Sequence, residues 1–140
     1  MSDGSEAARN RLKVLLVEDA QDIREVFTLL LRAEGADVVA AGSGREALDL
    51  AARREFDVVL TDLGLPDIPG DALIRRVLAT ARRRPRIIVL TGYDEPFVSR
   101  ARQAGADVVF TKPIAWATLA QTLAETDGPR QRAGSRVAAA

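Results

Sequence analysis

The chain has 140 residues, a size for one domain, and its 47% hydrophobic content is enough to build a core. Lysine plus arginine equals aspartate plus glutamate at 20 each, so it lacks the basic excess expected of a nucleic-acid-binding module. With no cysteine and no histidine, the sequence excludes disulfides, zinc–thiolate sites, Ser-His and Cys-His catalysis, and any role as a histidine kinase or phosphohistidine carrier.

Residues 1–11 are polar and hold no apolar stretch of signal-peptide length, so a flexible N-terminal segment is expected. The first strand candidate runs from Lys13 to Val17 and stops at Glu18-Asp19. Ile23, Val26, Phe27, Leu30 and Leu31 then keep an i, i+3, i+4 spacing, which predicts a helix ended by Gly35. A weaker strand over 36–41 leads to Ser43, a plausible N-cap for a second helix carrying Ala47, Leu48 and residues 50–52. Asp57 to Leu60 forms the next strand, just before Thr61-Asp62. Leu73, Ile74, Val77, Leu78 and Ala81 mark a third helix that must stop before Pro85. Arg86 to Leu90 is a strand ending at Thr91, and Phe97, Val98, Ala101 and Ala104 make a fourth helix closed by Gly105. A weaker strand, Asp107 to Phe110, precedes Lys112-Pro113, and Ile114, Trp116, Leu119, Ala120 and Leu123 make the fifth helix. Residues 126–140 read as a loose tail, which leaves one folded domain over 12–125.

The strong strands are short, β-branched and unalternated, as strands buried on both faces of a parallel sheet are. Alternating with five helices, they predict a doubly wound α/β fold with right-handed crossovers. The longest aliphatic runs, Val14 to Val17 and Ile87 to Leu90, are far too short to span a bilayer, so a soluble, cytoplasmic chain without membrane contact is expected.

In such a sheet functional groups collect at the carboxyl ends of the strands. Here those ends deliver Glu18-Asp19, Asp62, Thr91 and Lys112. Carboxylates held close together repel one another and call for a hard divalent cation, and Mg²⁺ suits a few carboxylates plus waters and phosphate oxygens. An aspartate carboxylate can attack phosphorus to give an acyl phosphate, whose charge Lys112 and the metal would balance while the Thr91 hydroxyl offers a hydrogen bond. Taken singly, each residue has a plain alternative: Glu18 and Asp19 as caps of the next helix, Asp62 in a turn, Thr91 ending a strand, Lys112 on the surface. Their common placement at one sheet edge outweighs those readings.

Val-Glu-Asp at 17–19, Thr-Asp-Leu-Gly-Leu-Pro at 61–66, Gly70, Thr-Gly-Tyr at 91–93 and Thr-Lys-Pro at 111–113 resemble, in order, the signature of response-regulator receiver domains. The resemblance implies a flavodoxin-like fold with strand order 2-1-3-4-5. It implies Asp62 as phosphoacceptor and a metal site of Glu18, Asp19, Asp62 and the Gly64 carbonyl, with Asp19 the more direct ligand of the acidic pair. Thr91 would be the switch hydroxyl, Lys112 the cation paired with Asp62, and Lys112-Pro113 a cis bond. The chain would take a phosphoryl group from a histidine kinase or phosphotransfer protein, and it is most similar to receivers attached to hybrid sensor kinases. One position departs from the pattern: Val109 stands where the family often places its rotating switch aromatic, and Phe110 next to it should face the other way.

Two other readings compete with this one. An aspartyl-phosphate hydrolase of the haloacid dehalogenase type needs a second aspartate two residues past the nucleophile, where this chain has Gly64. A degenerate receiver, acting as a phosphorylation-independent interaction module, is the alternative that Val109 keeps open. With no effector segment in view, output is expected through binding, with self-association on the fourth helix, fifth strand and fifth helix (96–123) and a kinase dock near Ile23 to Phe27. Arg82, Arg83, Arg84 and Arg86 are expected to be solvated cations at a helix end, and Trp116 and Phe97 to pack in or against the core. Gly64 would leave the acyl phosphate open on one side, a gap that Tyr93 is placed to cover.

Overall fold

A computed structural model describes residues 11–126, so the expected terminal segments lie, apart from Arg11 and Thr126, outside the described residues. The strands are β1 (Lys13–Val17), β2 (Asp37–Ala41), β3 (Val58–Thr61), β4 (Arg86–Thr91) and β5 (Val108–Thr111). The helices are α1 (Gln21–Ala33), α2 (Gly44–Arg53), α3 (Gly70–Thr80), α4 (Phe97–Ala104) and α5 (Trp116–Ala124). All pairings are parallel and the sheet order is β2-β1-β3-β4-β5, as the sequence predicts.

Both faces of the sheet are covered, which explains the unbroken apolar runs. Leu15, Val17, Val59, Ile87 and Val89 face α2, α3 and α4, where they meet Ala47, Leu73, Ile74, Val77 and Ala101. Val14, Leu16, Val58, Leu60, Ile88 and Leu90 face α1 and α5, meeting Leu31, Leu119 and Leu123. The period-2 alternation of a strand sends Val109 to the first layer and Phe110 to the second, as expected for that pair.

Register brings the carboxyl ends of the central strands level. Val17 pairs with Thr61, Thr61 with Val89, and Thr91 with Thr111. The ladder then runs one residue further: Asp62 N–H donates to the Val17 carbonyl at 3.4 Å and Lys112 N–H to the Thr91 carbonyl at 2.7 Å. The backbone of each of these two charged residues is thus tied to a neighbouring strand.

Helix boundaries follow local chemistry. Ser43 caps α2 by accepting Glu46 N–H, and Gly35 and Gly105 close α1 and α4 with φ of 92° and 123°, a conformation that costs glycine least. Ala81 turns out to be the C-cap of α3, and Ile114 precedes α5, so both lie just outside the helices assigned to them. The Lys112–Pro113 bond is cis, as is Glu95–Pro96.

Apolar groups also stand at the surface. Phe97 is 44% exposed: it stands at the first position of α4, tilted against Tyr93 with Arg100 over its ring, so it packs on the helix face and does not enter the core. Of the five periodic apolar residues of α1, only Leu31 is fully buried; Phe27 is half-buried, and Ile23, Val26 and Leu30 are exposed along with Leu29. One sheet face offers α1 a contact only about one helix-side wide, and this helix has more apolar residues than that contact covers. Trp116 does pack as expected, half-buried against Phe27 with its ring N–H donating to Glu34. Most of the basic cluster is engaged locally: Arg83 pairs with Glu55, Arg84 with Asp107, and Arg86 donates to Thr126.

Candidate functional site

The level strand ends place Glu18, Asp62 and Lys112 around one shallow cleft, whose lining also includes Phe27 and Leu90. Asp62 is held from two sides. Its Oδ1 accepts the backbone N–H of Leu63 at 2.6 Å and of Gly64 at 3.3 Å, while Oδ2 accepts from Lys112 Nζ at 3.1 Å. The same ammonium lies 3.9 Å from Glu18 Oε1.

Glu18 is buried, and its carboxyl is pushed above its ordinary value mainly by that burial. The hydrogen bond from Ala20 N–H and the Lys112 charge act in the opposite direction, while contacts with Asp19 and Asp62 push it further up. Asp19 is exposed, and its side chain reaches the Glu18 carboxyl. Glu18 and Asp62 therefore come together around Lys112, with Asp19 beside Glu18, and among the described residues no three acids close into a ready-made metal cage. A cluster of mutually opposed carboxylates with open coordination fits a cation that keeps most of its waters, as Mg²⁺ does.

Thr91 is fully buried, and its hydroxyl accepts Tyr93 N–H at 3.0 Å. No hydrogen bond joins it directly to Asp62 among the described residues; the link runs through the Lys112 backbone on the Thr91 carbonyl. Gly64 lies in the loop after Asp62, and a β-carbon built there would stand 2.9 Å from the Tyr93 hydroxyl. The space expected to be open at Gly64 is therefore filled by the tyrosine.

Sequence reasoning missed two residues that shape the site. Arg24 Nη1 donates to the Glu18 carbonyl at 2.9 Å and lies 3.4 Å from the Asp19 carbonyl, clamping the backbone of the acidic pair. Asp67 accepts the N–H groups of Gly44 and Arg45 at 2.9 Å each. The Asp67 contacts bridge more than twenty residues, so no local pattern announces them.

A profile of the response regulator receiver domain matches residues 14–124, most of the chain. The chain belongs to this family. It is a receiver domain of two-component signalling, with the five-stranded 2-1-3-4-5 fold of that family. It is 34% identical over 104 residues to the cell cycle transcriptional regulator CtrA of Caulobacter vibrioides, a match covering 74% of this chain and 45% of that protein. The receiver thus spans less than half the length of the curated relative. Among solved structures it is similar to a CheY-like receiver domain protein from Methanospirillum hungatei JF-1, with TM-score 0.78 and 28% identity over 82% of this chain and 92% of that one. It is also similar to the receiver domain of the sensor histidine kinase PA1611 from Pseudomonas aeruginosa PAO1, solved with a magnesium ion in its active-site cleft. That match has a TM-score of 0.74 and 31% identity over 81% of this chain and 94% of the other. Among the described residues no helix of this receiver is long and apolar enough to cross a membrane.

Proposed function

We propose that this receiver accepts a phosphoryl group from a phosphohistidine donor onto Asp62. The observation that carries the reading is the divided Asp62 carboxylate, with loop amides on Oδ1 and the Lys112 ammonium on Oδ2. A carboxylate oxygen attacks phosphorus, the P–N bond of the donor breaks, and the imidazole leaves with the bonding pair. Mg²⁺, held by Glu18, Asp19, Asp62 and the Gly64 carbonyl, would supply positive charge against the phosphoryl oxygens; the buried, charge-crowded Glu18 and the magnesium in the Pseudomonas receiver support this.

Lys112 lies close enough to Asp62 to follow the new charge onto the phosphoryl group. Thr91 can offer it a hydroxyl hydrogen while its lone pair still holds Tyr93 N–H, which couples the site to the loop before α4. Val109 lacks a ring to rotate, so this loop carries the signal outward. The chain modifies itself and turns over no separate substrate.

The exposed stripe of Ile23, Val26, Leu29 and Leu30 on α1 suits the histidine kinase or phosphotransfer protein that delivers the phosphoryl group. The α4-β5-α5 side, with Phe97 exposed, suits self-association or an output partner. The balanced charge supports protein partners over nucleic acid, and a cytoplasmic setting follows from such a donor.

The test is incubation with acetyl phosphate and Mg²⁺, read by intact mass beside Asp62→Ala and a metal-free control. A single phosphoryl adduct, absent from both controls, is the expected result. No adduct, together with no response to beryllofluoride and Mg²⁺, would replace this reading with a phosphorylation-independent interaction module.

A further inference from the structure

The first N–H groups of a helix need partners outside its own ladder. In α2 those of Gly44, Arg45 and Glu46 are divided between two sources. Glu46 N–H goes to the Ser43 hydroxyl as an ordinary cap. Gly44 N–H and Arg45 N–H go to the two carboxylate oxygens of Asp67, from a loop more than twenty residues away in sequence. The charge of Asp67 also suits the positive end of the helix, and those amides hold its carboxyl below the ordinary range.

The loop that carries Asp67 is the one that carries Gly64 and follows Asp62. It is pinned at three points. At its far end, Gly70 lies so close to Leu63 that a β-carbon would stand 2.7 Å from the Leu63 α-carbon. In the middle, Asp67 grips α2, and the Ile68 side chain occupies the place where a side chain on buried Gly44 would go. At its near end, Leu63 and Gly64 donate their N–H groups to Asp62 Oδ1. Any slack at Asp67 passes along a short segment to those two amides and to the Gly64 carbonyl.

We infer that Asp67 is a positioning residue: by fastening its loop to the start of α2, it presets the Asp62 carboxylate and the Gly64 carbonyl for metal and phosphoryl group. The inference rests on the proposed function for the identity of that metal, but not for the fastening itself.

Two readouts test it on the whole chain: Mg²⁺ affinity by calorimetric titration, and hydrogen exchange of the Leu63 and Gly64 amides in metal-free protein. Asp67→Ala is expected to weaken Mg²⁺ binding about 10-fold, the low end for residues that orient metal ligands, and to speed exchange at both amides. Asp67→Asn, which keeps one acceptor oxygen, should fall between. Gly44→Ala, pressing on Ile68 from the other side, should reproduce the loss. Ser43→Ala is the control, because it removes the cap of the same helix without touching the loop. It should leave both readouts as in the wild type.

Wild-type affinity and exchange in Asp67→Ala would overturn the inference, and so would an equal loss in Ser43→Ala, which would trace the effect to helix stability alone. If the wild type takes up no Mg²⁺, it is the proposed function that fails. The exchange measurement then decides the fastening by itself.

Discussion

The Tyr93 hydroxyl stands over Gly64, within 2.9 Å of the point where any other residue would carry its β-carbon. The pairing is reciprocal: glycine at 64 leaves room that the tyrosine fills, two residues beyond the buried Thr91 that holds its backbone. The ring is braced by Phe97, with centroids 5.1 Å apart. Water reaching an acyl phosphate on Asp62 from that side must pass the tyrosine. Tyr93→Ala should therefore speed loss of the phosphoryl group severalfold while leaving its uptake from acetyl phosphate intact. Equal decay rates for variant and wild type, followed by intact mass, would remove the gating role.

Lys112 is the cation placed between Asp62 and Glu18. Replacing it by methionine keeps the length of the side chain and leaves both carboxylates without their counter-charge. The expected outcome is a lower yield of adduct at Asp62 and a Glu18 carboxyl that titrates at still higher pH, read by NMR of the carboxyl carbons.

Glu18 also makes a prediction for stability. Its folded carboxyl is raised above the ordinary 4.5, chiefly by burial. The native protein thus keeps a proton there that the unfolded chain has already released, and ionised Glu18 opposes folding increasingly as pH rises through that window. Glu18→Gln should raise the melting temperature of metal-free protein at neutral pH and reduce the further rise on adding Mg²⁺. A melting temperature that falls in metal-free Glu18→Gln would show that the charge is compensated where it sits.

Asp67 works in the opposite sense. Its carboxyl is lowered from 3.8 by the two α2 amides, so its contribution is complete above that value and disappears as acid protonates the folded form. Thermal melts from about pH 4 down to about pH 2 should show a shallower acid limb in Asp67→Asn than in the wild type. Superimposable slopes would count against the contact.

Helix α1 offers a direct check on which face is buried. Leu31 is fully covered and Leu29, two residues earlier, is 67% exposed. Leu31→Ala should cost about 2–5 kcal/mol of stability. Leu29→Ala should stay within about 0.5 kcal/mol while weakening phosphoryl transfer from a kinase that docks there. Denaturant unfolding of the pair separates the two effects.

Much of this was legible in the chain before any coordinates. The aliphatic runs at 14–17 and 87–90 carry their burial with them, because only a sheet covered on both faces accepts strands without a polar side. Ser43 announces the start of α2, and Gly35 and Gly105 the ends of α1 and α4, because capping is chemistry between near neighbours. The polar residue at the end of each central strand placed Glu18, Asp62, Thr91 and Lys112 at one sheet edge, since parallel strands in register must bring their carboxyl ends together.

The tertiary structure decided what depends on how elements lie against one another. The apolar periodicity of α1 does not say how wide a strip the sheet will cover, and it is the packing that leaves Ile23, Val26 and Leu30 outward and Leu31 inward. Phe97 reads as core or helix-face packing, and the fold decides for the second, against Tyr93 and Arg100 at the start of α4. The hold of Asp67 on α2 joins segments more than twenty residues apart that only folding brings together. Period and capping are short-range properties written into the order of residues; contacts between loops are set by the packing of whole elements.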